Sequence, residues 1–241
     1  QNIPLHSKRG QAIRHAFIAP KGSSLVALDY SQIELRLAAI LSGDEKLCDI
    51  FRSGRDVHRE VAAYVFHVAP ENVDLEMRRR AKVINFGILY GMGVNALRQQ
   101  LGTTTAEAHA FYEEYFGQFK TLAEYLEKTK GFARKHGYTE TLFGRRRHLP
   151  EMKSSLPYVR AQAERVAINA PIQGTSADIT KLAMVAVDEW LMEKGYQDAA
   201  HLLLPVHDEL VYEIETSKLD AIAPEIKRIM ESILGKEETH G

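Results

Sequence analysis

The sequence of 241 residues holds one cysteine, Cys48. A lone cysteine excludes an internal disulfide framework and argues against a thiolate zinc site. Beside Leu47 it reads as a small core residue, and a reducing interior is the expected setting. No run approaches the roughly 18 apolar residues of a membrane span, so no membrane partner is expected. The opening Gln1-Asn2-Ile3-Pro4-Leu5 lacks both an initiator Met and the apolar stretch of a signal peptide, so it reads as the interior of a longer polypeptide. No sign of charge dominates: 31 Lys and Arg face 32 Asp and Glu, a net charge of −1. That balance argues against coating nucleic acid by bulk electrostatics and leaves only local clusters to consider. Neither Gly-x-Ser-x-Gly nor His-Glu-x-x-His occurs, which removes the serine-hydrolase elbow and the zinc-protease helix.

What is present is ordinary globular material. Hydrophobic residues at 45% and charged residues at 26% allow a sizeable core in one large domain or two small ones. Residues 24–29 are an apolar run closing on Asp29, a buried-strand pattern. From Ser31 a helical pattern puts Ile33, Leu37, Ile40 and Leu41 on one face and stops at Gly43. Amphipathic spacing continues through 57–66, 75–90, 94–101, 105–116 and 119–136, with breaks at Pro70, Gly93, Gly102 and Gly117. Residues 137–149 read as a hairpin turning near Gly144. Helices follow at 156–169 and 175–194, separated by a special turn around Pro171 and Gln173-Gly174-Thr175. Residues 201–206 and 209–214 are strands around His207-Asp208, and 218–234 form a last helix. Few strands separated by so much helix predict an α+β fold, a small antiparallel sheet with helices on one side and a helical insertion.

Three constellations carry chemistry. Asp29 ends a strand and Asp208 sits at a tight turn, each read singly as a cap or turn former and together as a hard-cation site for phosphoryl transfer. His207-Asp208-Glu209 is a polar triplet between apolar strands, costly unless solvated or bound to something. In 77–91, Arg78, Lys82, Phe86 and Tyr90 recur every four residues, one slanted helical stripe of two cations and then two rings. It reads as a nucleoside triphosphate site, phosphates on Arg78 and Lys82 and base or sugar on Phe86 and Tyr90, with Gly87 allowing close approach. The competing reading is a basic turn followed by core aromatics, with Ile84, Ile88 and Leu89 inward in either case. Two further clusters admit two readings each. Gly144-Arg145-Arg146-Arg147-His148 is a phosphate contact or a solvated loop. Gln162, Arg165, Asn169 and Gln173 are a minor-groove reading face or a plain polar face.

Three blocks resemble the polymerase motifs of family A DNA polymerases, the bacterial DNA polymerase I group: Leu28-Asp29-Tyr30-Ser31-Gln32-Ile33-Glu34-Leu35-Arg36, Arg78-x3-Lys82-x3-Phe86-Gly87-x2-Tyr90-Gly91, and Val206-His207-Asp208-Glu209. Segments 54–58, 141–147 and 171–178 are also similar to family text. The resemblance implies a right-hand palm at 1–52 and 154–241, interrupted by helical fingers at 53–153, with the thumb and the final palm strand outside this stretch. It implies a DNA-directed DNA polymerase using two Mg²⁺ ions, with Mn²⁺ as a substitute, on primer–template DNA and dNTPs. The chain would act as a monomer within a longer polypeptide. Asp29, Asp208 and the Tyr30 main chain would hold metal, with Glu209 supporting. Arg78 and Lys82 would grip the triphosphate, Lys82 with a catalytic part, and His58 and Gln32 would lie nearby. Phe86 would pack on the sugar and Tyr90 at the templating position. Glu34 would gate against a ribose 2′-OH. His207 would contact the primer end, and Arg165, Asn169 and Gln173 the primer–template. Phe rather than Tyr at 86 goes, in the family, with discrimination against 3′-deoxy analogues. The alternatives are a nucleic-acid and dNTP-binding module inactive without the missing segments, a two-metal nuclease, and an RNA polymerase. The triphosphate stripe argues against the nuclease and Glu34 against the RNA polymerase.

Overall fold

A computed structural model describes residue 3 and residues 7–235. Contacts divide these into two compact units, one of residues 7–31 with 177–235 and one of residues 32–176. The fold is α+β.

The first unit opens with α1 (Lys8–His15), which the sequence reading leaves unassigned. Its mean hydropathy is low, so no apolar periodicity announces it, but Ser7 caps it by accepting the Gly10 N–H at 3.0 Å. The next element, β1 (Ser23–Asp29), joins a three-stranded sheet with β4 (Ala200–Val206) and β5 (Glu209–Glu215), in the order β1-β5-β4. Both pairings are antiparallel, from Ser23↔Glu215 to Asp29↔Glu209 on one side and from Ala200↔Ile214 to Val206↔Glu209 on the other. Pro205 has no N–H to offer a ladder and lies in β4, at the edge of this sheet. Alternation in β5 sends Leu210, Tyr212 and Ile214 inward. They meet Ala183, Val187 and Leu191 of the long helix described below, and Ile222, Ile226, Ile229 and Met230 of α10 (Leu219–Glu231). The residues of α10 recur at spacings of three and four, the pattern of one buried helix face.

The second unit is built from α2 (Ile33–Ser42), α3 (Glu45–Arg52), α4 (Val57–Phe66), α5 (Leu75–Leu89), α6 (Val94–Leu101), α7 (Thr105–Gln118) and α8 (Lys120–His136). A short hairpin, β2 (Tyr138–Glu140) with β3 (Arg146–His148), follows. Local capping chemistry starts these helices: Asp44, Asp56 and Asp74 each accept main-chain N–H groups at an N-terminus, and Thr104 with Glu107 forms a capping box before α7. Asp44 also ties two elements together. Its Oδ1 accepts from Leu47 at 3.1 Å and its Oδ2 from Leu122 of α8 at 3.2 Å, at a site only 3% exposed. Cys48 is buried as expected, its thiol pushed up by burial.

The expected turn at Pro171 does not form. Residues Pro157–Glu193 are one helix, α9, with Pro171 inside it. Proline removes one rung and normally disfavours a helix interior. Here Ala167, Ile168 and Ile172 are almost fully buried, so packing of that face outweighs the lost bond. Thr175 reinforces the segment: its hydroxyl donates to the Pro171 carbonyl at 2.6 Å and accepts the Leu142 N–H at 3.0 Å. Gly174 does not turn the chain either. A Cβ at 174 would lie 2.5 Å from Thr141 Cγ2, so the missing side chain admits the hairpin loop against α9.

Candidate functional site

The sheet unit gathers acidic residues at one end. Asp29 is the last residue of β1 and stands opposite Glu209, the first residue of β5. Leu28 and Leu210, paired one step earlier, share a face with the core, so Asp29 and Glu209 lie on the other face. His207-Asp208 forms the turn between β4 and β5, with His207 at φ 58°, in the left-handed region. The Tyr30 N–H donates to the Asp208 carbonyl at 3.2 Å, pinning β1 to that turn. The Tyr30 hydroxyl donates to the Met230 carbonyl at 2.8 Å. Burial, then the nearby Glu231 and Tyr212, raise that phenol far above its usual value. What Tyr30 offers at the strand end is therefore main chain. Asp29 makes no ion pair among the described residues.

This donor set is carboxylate and carbonyl oxygen, which suits Mg²⁺ or Mn²⁺ and not a thiolate or imidazole metal. Among the described residues no group of three or more His, Cys, Asp or Glu side chains could hold an ion by itself. The two aspartates would supply part of a coordination shell that substrate oxygens and water must complete.

In the helical unit, α5 carries the expected stripe. Ile84, Ile88 and Leu89 are buried, Lys82 is exposed, Arg78 and Phe86 are half-buried, and Tyr90 is 37% exposed as the C-cap residue. The Phe86 and Tyr90 rings stand 6.1 Å apart. Arg78 is not bare: its Nε donates to Asp56 Oδ2 at 2.7 Å. Lys82 makes no ion pair among the described residues. His58 is buried at 2% exposure, with Nδ1 3.0 Å from the Asn85 amide nitrogen and its ring 5.8 Å from Phe86. Burial drives its imidazole down to about 4, assisted by the charges of Arg78 and Lys82 and opposed by Asp56. His58 is thus a neutral, held ring rather than a mobile cation. Glu34, in the first turn of α2, accepts the Tyr90 hydroxyl, and Gln32 precedes that helix at φ 55° with no side-chain capping bond. The space beside Gly87 is filled by Met92, whose Sδ would lie 3.0 Å from an added Cβ, so the expected approach beside the rings is taken up internally.

Because Pro171 does not break α9, Arg165, Asn169 and Gln173 stay in phase at steps of four. Gln162, Arg165 and Gln173 are exposed and Asn169 is half-buried. The Arg165 guanidinium donates to Gln162 Oε1, Nε at 3.1 Å. The end of α5 packs directly on this face. Gly91, at φ 70°, would carry a Cβ 2.8 Å from Ile168 Cδ1 and 3.2 Å from Arg165 Cα. Of the hairpin cations, Arg146 is paired with Glu140 at 2.7 Å and Arg145 donates to the Gly174 carbonyl at 3.0 Å. Sequence reasoning misses Asp56 and Asn85, which touch Arg78 and His58. Asp56 has a local signal, an acidic residue just before a helix; the partner of Asn85 has none.

The fold matches a known class of domain. A solved structure, the "POL domain of Pol1 from M. smegmatis complex with DNA primer-template and dNTP", superposes with a TM-score of 0.91 at 42% identity, covering 97% of this chain and 41% of that one. The architecture is therefore that of a DNA polymerase domain. The family model for DNA polymerase family A matches residues 1–238, and the chain belongs to that family. Among curated relatives, the thermostable DNA polymerase I of Thermus aquaticus is 51% identical over 233 residues, and DNA polymerase I of Pseudomonas aeruginosa is 49% identical over 230. These alignments cover 97% and 95% of this chain but 28% and 25% of those proteins, so the chain spans roughly a quarter of their length. No helix among the described residues is long and apolar enough to cross a membrane.

Proposed function

We propose that the chain is the catalytic core of a template-directed DNA polymerase that adds deoxynucleotides to a primer 3′-OH and releases pyrophosphate. In this reading residues 1–52 and 154–241 form the palm and 53–153 the fingers. The observation that carries it is the stripe on α5, cations Arg78 and Lys82 followed by rings Phe86 and Tyr90, with Tyr90 bonded to Glu34. A nuclease has no use for a triphosphate grip, and a ribonucleotide polymerase has none for a carboxylate beside the sugar. The bound primer–template and dNTP of the mycobacterial neighbour support the same substrates.

Asp29, Asp208 and the Tyr30 main chain, with Glu209 alongside, would hold Mg²⁺ ions or Mn²⁺ in their place, which when bound activate the primer hydroxyl and neutralise the leaving phosphate charge. The remaining roles belong to the chain itself. Arg78 and Lys82 bind the triphosphate and stabilise charge as pyrophosphate departs. Phe86 packs on the sugar and Tyr90 occupies the templating position, while Glu34 fills the space a 2′-OH needs. His58 and Gln32 line the triphosphate end, and His207 meets the primer terminus. Arg165, Asn169 and Gln173 offer donors to minor-groove acceptors.

Primer extension by the full-length chain, with dNTPs or rNTPs, tests the proposal. Asp208→Ala is expected to abolish nucleotide addition while primer–template binding survives. Near-normal extension by that variant in Mg²⁺ refutes the metal assignment. Binding of primer–template and dNTP without extension by residues 1–241 alone, beside extension by the full-length polypeptide, supports the binding-module alternative instead.

A further inference from the structure

Arg78 has a keeper that no motif singles out. Asp56 uses its two carboxylate oxygens for two different tasks. Its Oδ1 accepts the main-chain N–H groups of His58 at 2.9 Å and Arg59 at 3.3 Å, which caps α4. Its Oδ2 accepts the Arg78 Nε–H at 2.7 Å. The start of α4 is thereby tied to the first turns of α5, where Arg78 lies. Two further bonds stiffen the same junction: the Arg59 guanidinium donates to the Pro70 carbonyl at 3.0 Å and to that of Val73 at 3.3 Å. Asp74 accepts the Met77 N–H at 2.7 Å at the start of α5.

The geometry at Arg78 is selective. Only Nε is engaged by the carboxylate, and the two terminal nitrogens have no partner among the described residues. A guanidinium held by Nε presents its outer pair of N–H groups as a fork of fixed orientation, the arrangement that binds phosphate bidentately. Left unheld, a long arginine side chain samples many rotamers and must be ordered when its ligand arrives.

We infer that Asp56 is a positioning residue for dNTP binding: it orients the Arg78 guanidinium toward the triphosphate while capping α4. The inference rests on the polymerase reading above. It concerns a residue that does not touch the substrate and acts through Arg78. The carboxylate is also suited to permanent duty. Burial would raise it, but the Arg78 side chain and the N–H groups of Arg59 and His58 outweigh burial and hold it below the usual aspartate value. It stays charged through the whole working range.

The two tasks can be separated by choice of substitution. Asparagine caps helices as well as aspartate does, so Asp56→Asn keeps an oxygen for His58 and Arg59. It then turns an amide N–H₂ toward the Arg78 Nε–H, donor against donor, and the hold is lost. Asp56→Ala loses both tasks. The test is steady-state single-nucleotide extension with the full-length chain, comparing wild type, Asp56→Asn, Asp56→Ala, Arg78→Ala and the Asp56→Asn/Arg78→Ala double variant. Thermal unfolding and primer–template affinity are measured alongside.

Asp56→Asn is expected to raise KM for dNTP about tenfold, the effect of losing one hydrogen bond to a charged group. Its melting temperature and primer–template affinity should stay near wild type. In the Arg78→Ala background the same change should have almost no effect on KM, because the group it positions is gone. Asp56→Ala should add a fall in melting temperature. An unchanged or lowered KM in Asp56→Asn overturns the inference, and so does a full-sized KM effect without Arg78. A wild-type chain that extends no primer sinks the polymerase reading, and this inference with it. A wild-type chain that extends primers beside an Asp56→Asn variant of unchanged KM sinks the inference alone.

Discussion

The Tyr90 hydroxyl donates to the Glu34 carboxylate, joining the C-terminal cap of α5 to the first turn of α2. Fifty-six positions separate the two in sequence. In the proposed function one guards the sugar and the other the templating position, so the bond couples the two tests an incoming nucleotide must pass. It also gives the half-buried Glu34 a fixed direction, which a steric gate requires.

Glu34→Ala removes both the gate and the Tyr90 anchor. Discrimination between dCTP and CTP, measured as the ratio of kcat/KM values, is expected to fall by roughly 10–200-fold, the range set by one small substituent in a fitted pocket. Unchanged discrimination would remove Glu34 from the sugar site.

Phe86→Tyr tests the sugar contact from the other side. The ring lies between His58 and Tyr90, at 5.8 and 6.1 Å. A hydroxyl added to it can replace the missing 3′-OH of a dideoxynucleotide as a hydrogen-bonding partner. Incorporation of ddNTP relative to dNTP should rise by about tenfold or more, read from chain-termination ratios. No change would place Phe86 away from the 3′ carbon.

The buried His58 makes a prediction about acid stability. Its folded value is about 4 and its ordinary value 6.5, so between these the unfolded chain carries the extra proton. Stability should therefore be intact above about pH 6.5 and fall as pH drops toward 4, by roughly 3 kcal/mol in total. Burial sets this value first, with Asp56 opposing it and the charges of Arg78 and Lys82 adding to it. Urea midpoints of wild type and His58→Gln across this range check it. The variant should show a flatter dependence, and parallel curves would assign the acid sensitivity elsewhere.

Gly174→Ala should destabilise the chain by about 1–3 kcal/mol, the usual cost of overpacking. The added Cβ would fall 2.5 Å from Thr141 Cγ2. Thr141→Ser removes that methyl but keeps the hydroxyl that accepts the Arg145 N–H at 3.1 Å. Adding it to Gly174→Ala should recover most of the loss, as measured by chemical unfolding. Failure of the rescue would mean that the glycine answers to the backbone and not to this contact.

The parts of this molecule that follow from local rules are legible in its sequence. Alternation in 209–214 marks a strand with one buried face, and the four-residue spacing from Arg78 to Tyr90 marks a helix edge. The order of the three motif blocks points to the family to which the chain belongs. Local rules fail where a remote neighbour overrules them. Pro171 and Gly174 read as a turn because each is poor in a helix, yet burial of Ala167, Ile168 and Ile172 and the fit of Thr141 keep α9 continuous.

Chemical identity and spacing are properties of the chain, so cations, rings and carboxylates can be named from the letters alone, with the elements that carry them. Direction and partnership are not, because a side chain's hydrogen-bond partner is chosen by what packing brings beside it. Only folding sets Asp29 across from Glu209, gives Arg78 to Asp56, buries His58 as a neutral ring against Asn85, and turns Tyr90 onto Glu34. Those pairings join residues 22 to 180 positions apart, distances over which no periodicity in a sequence carries a signal.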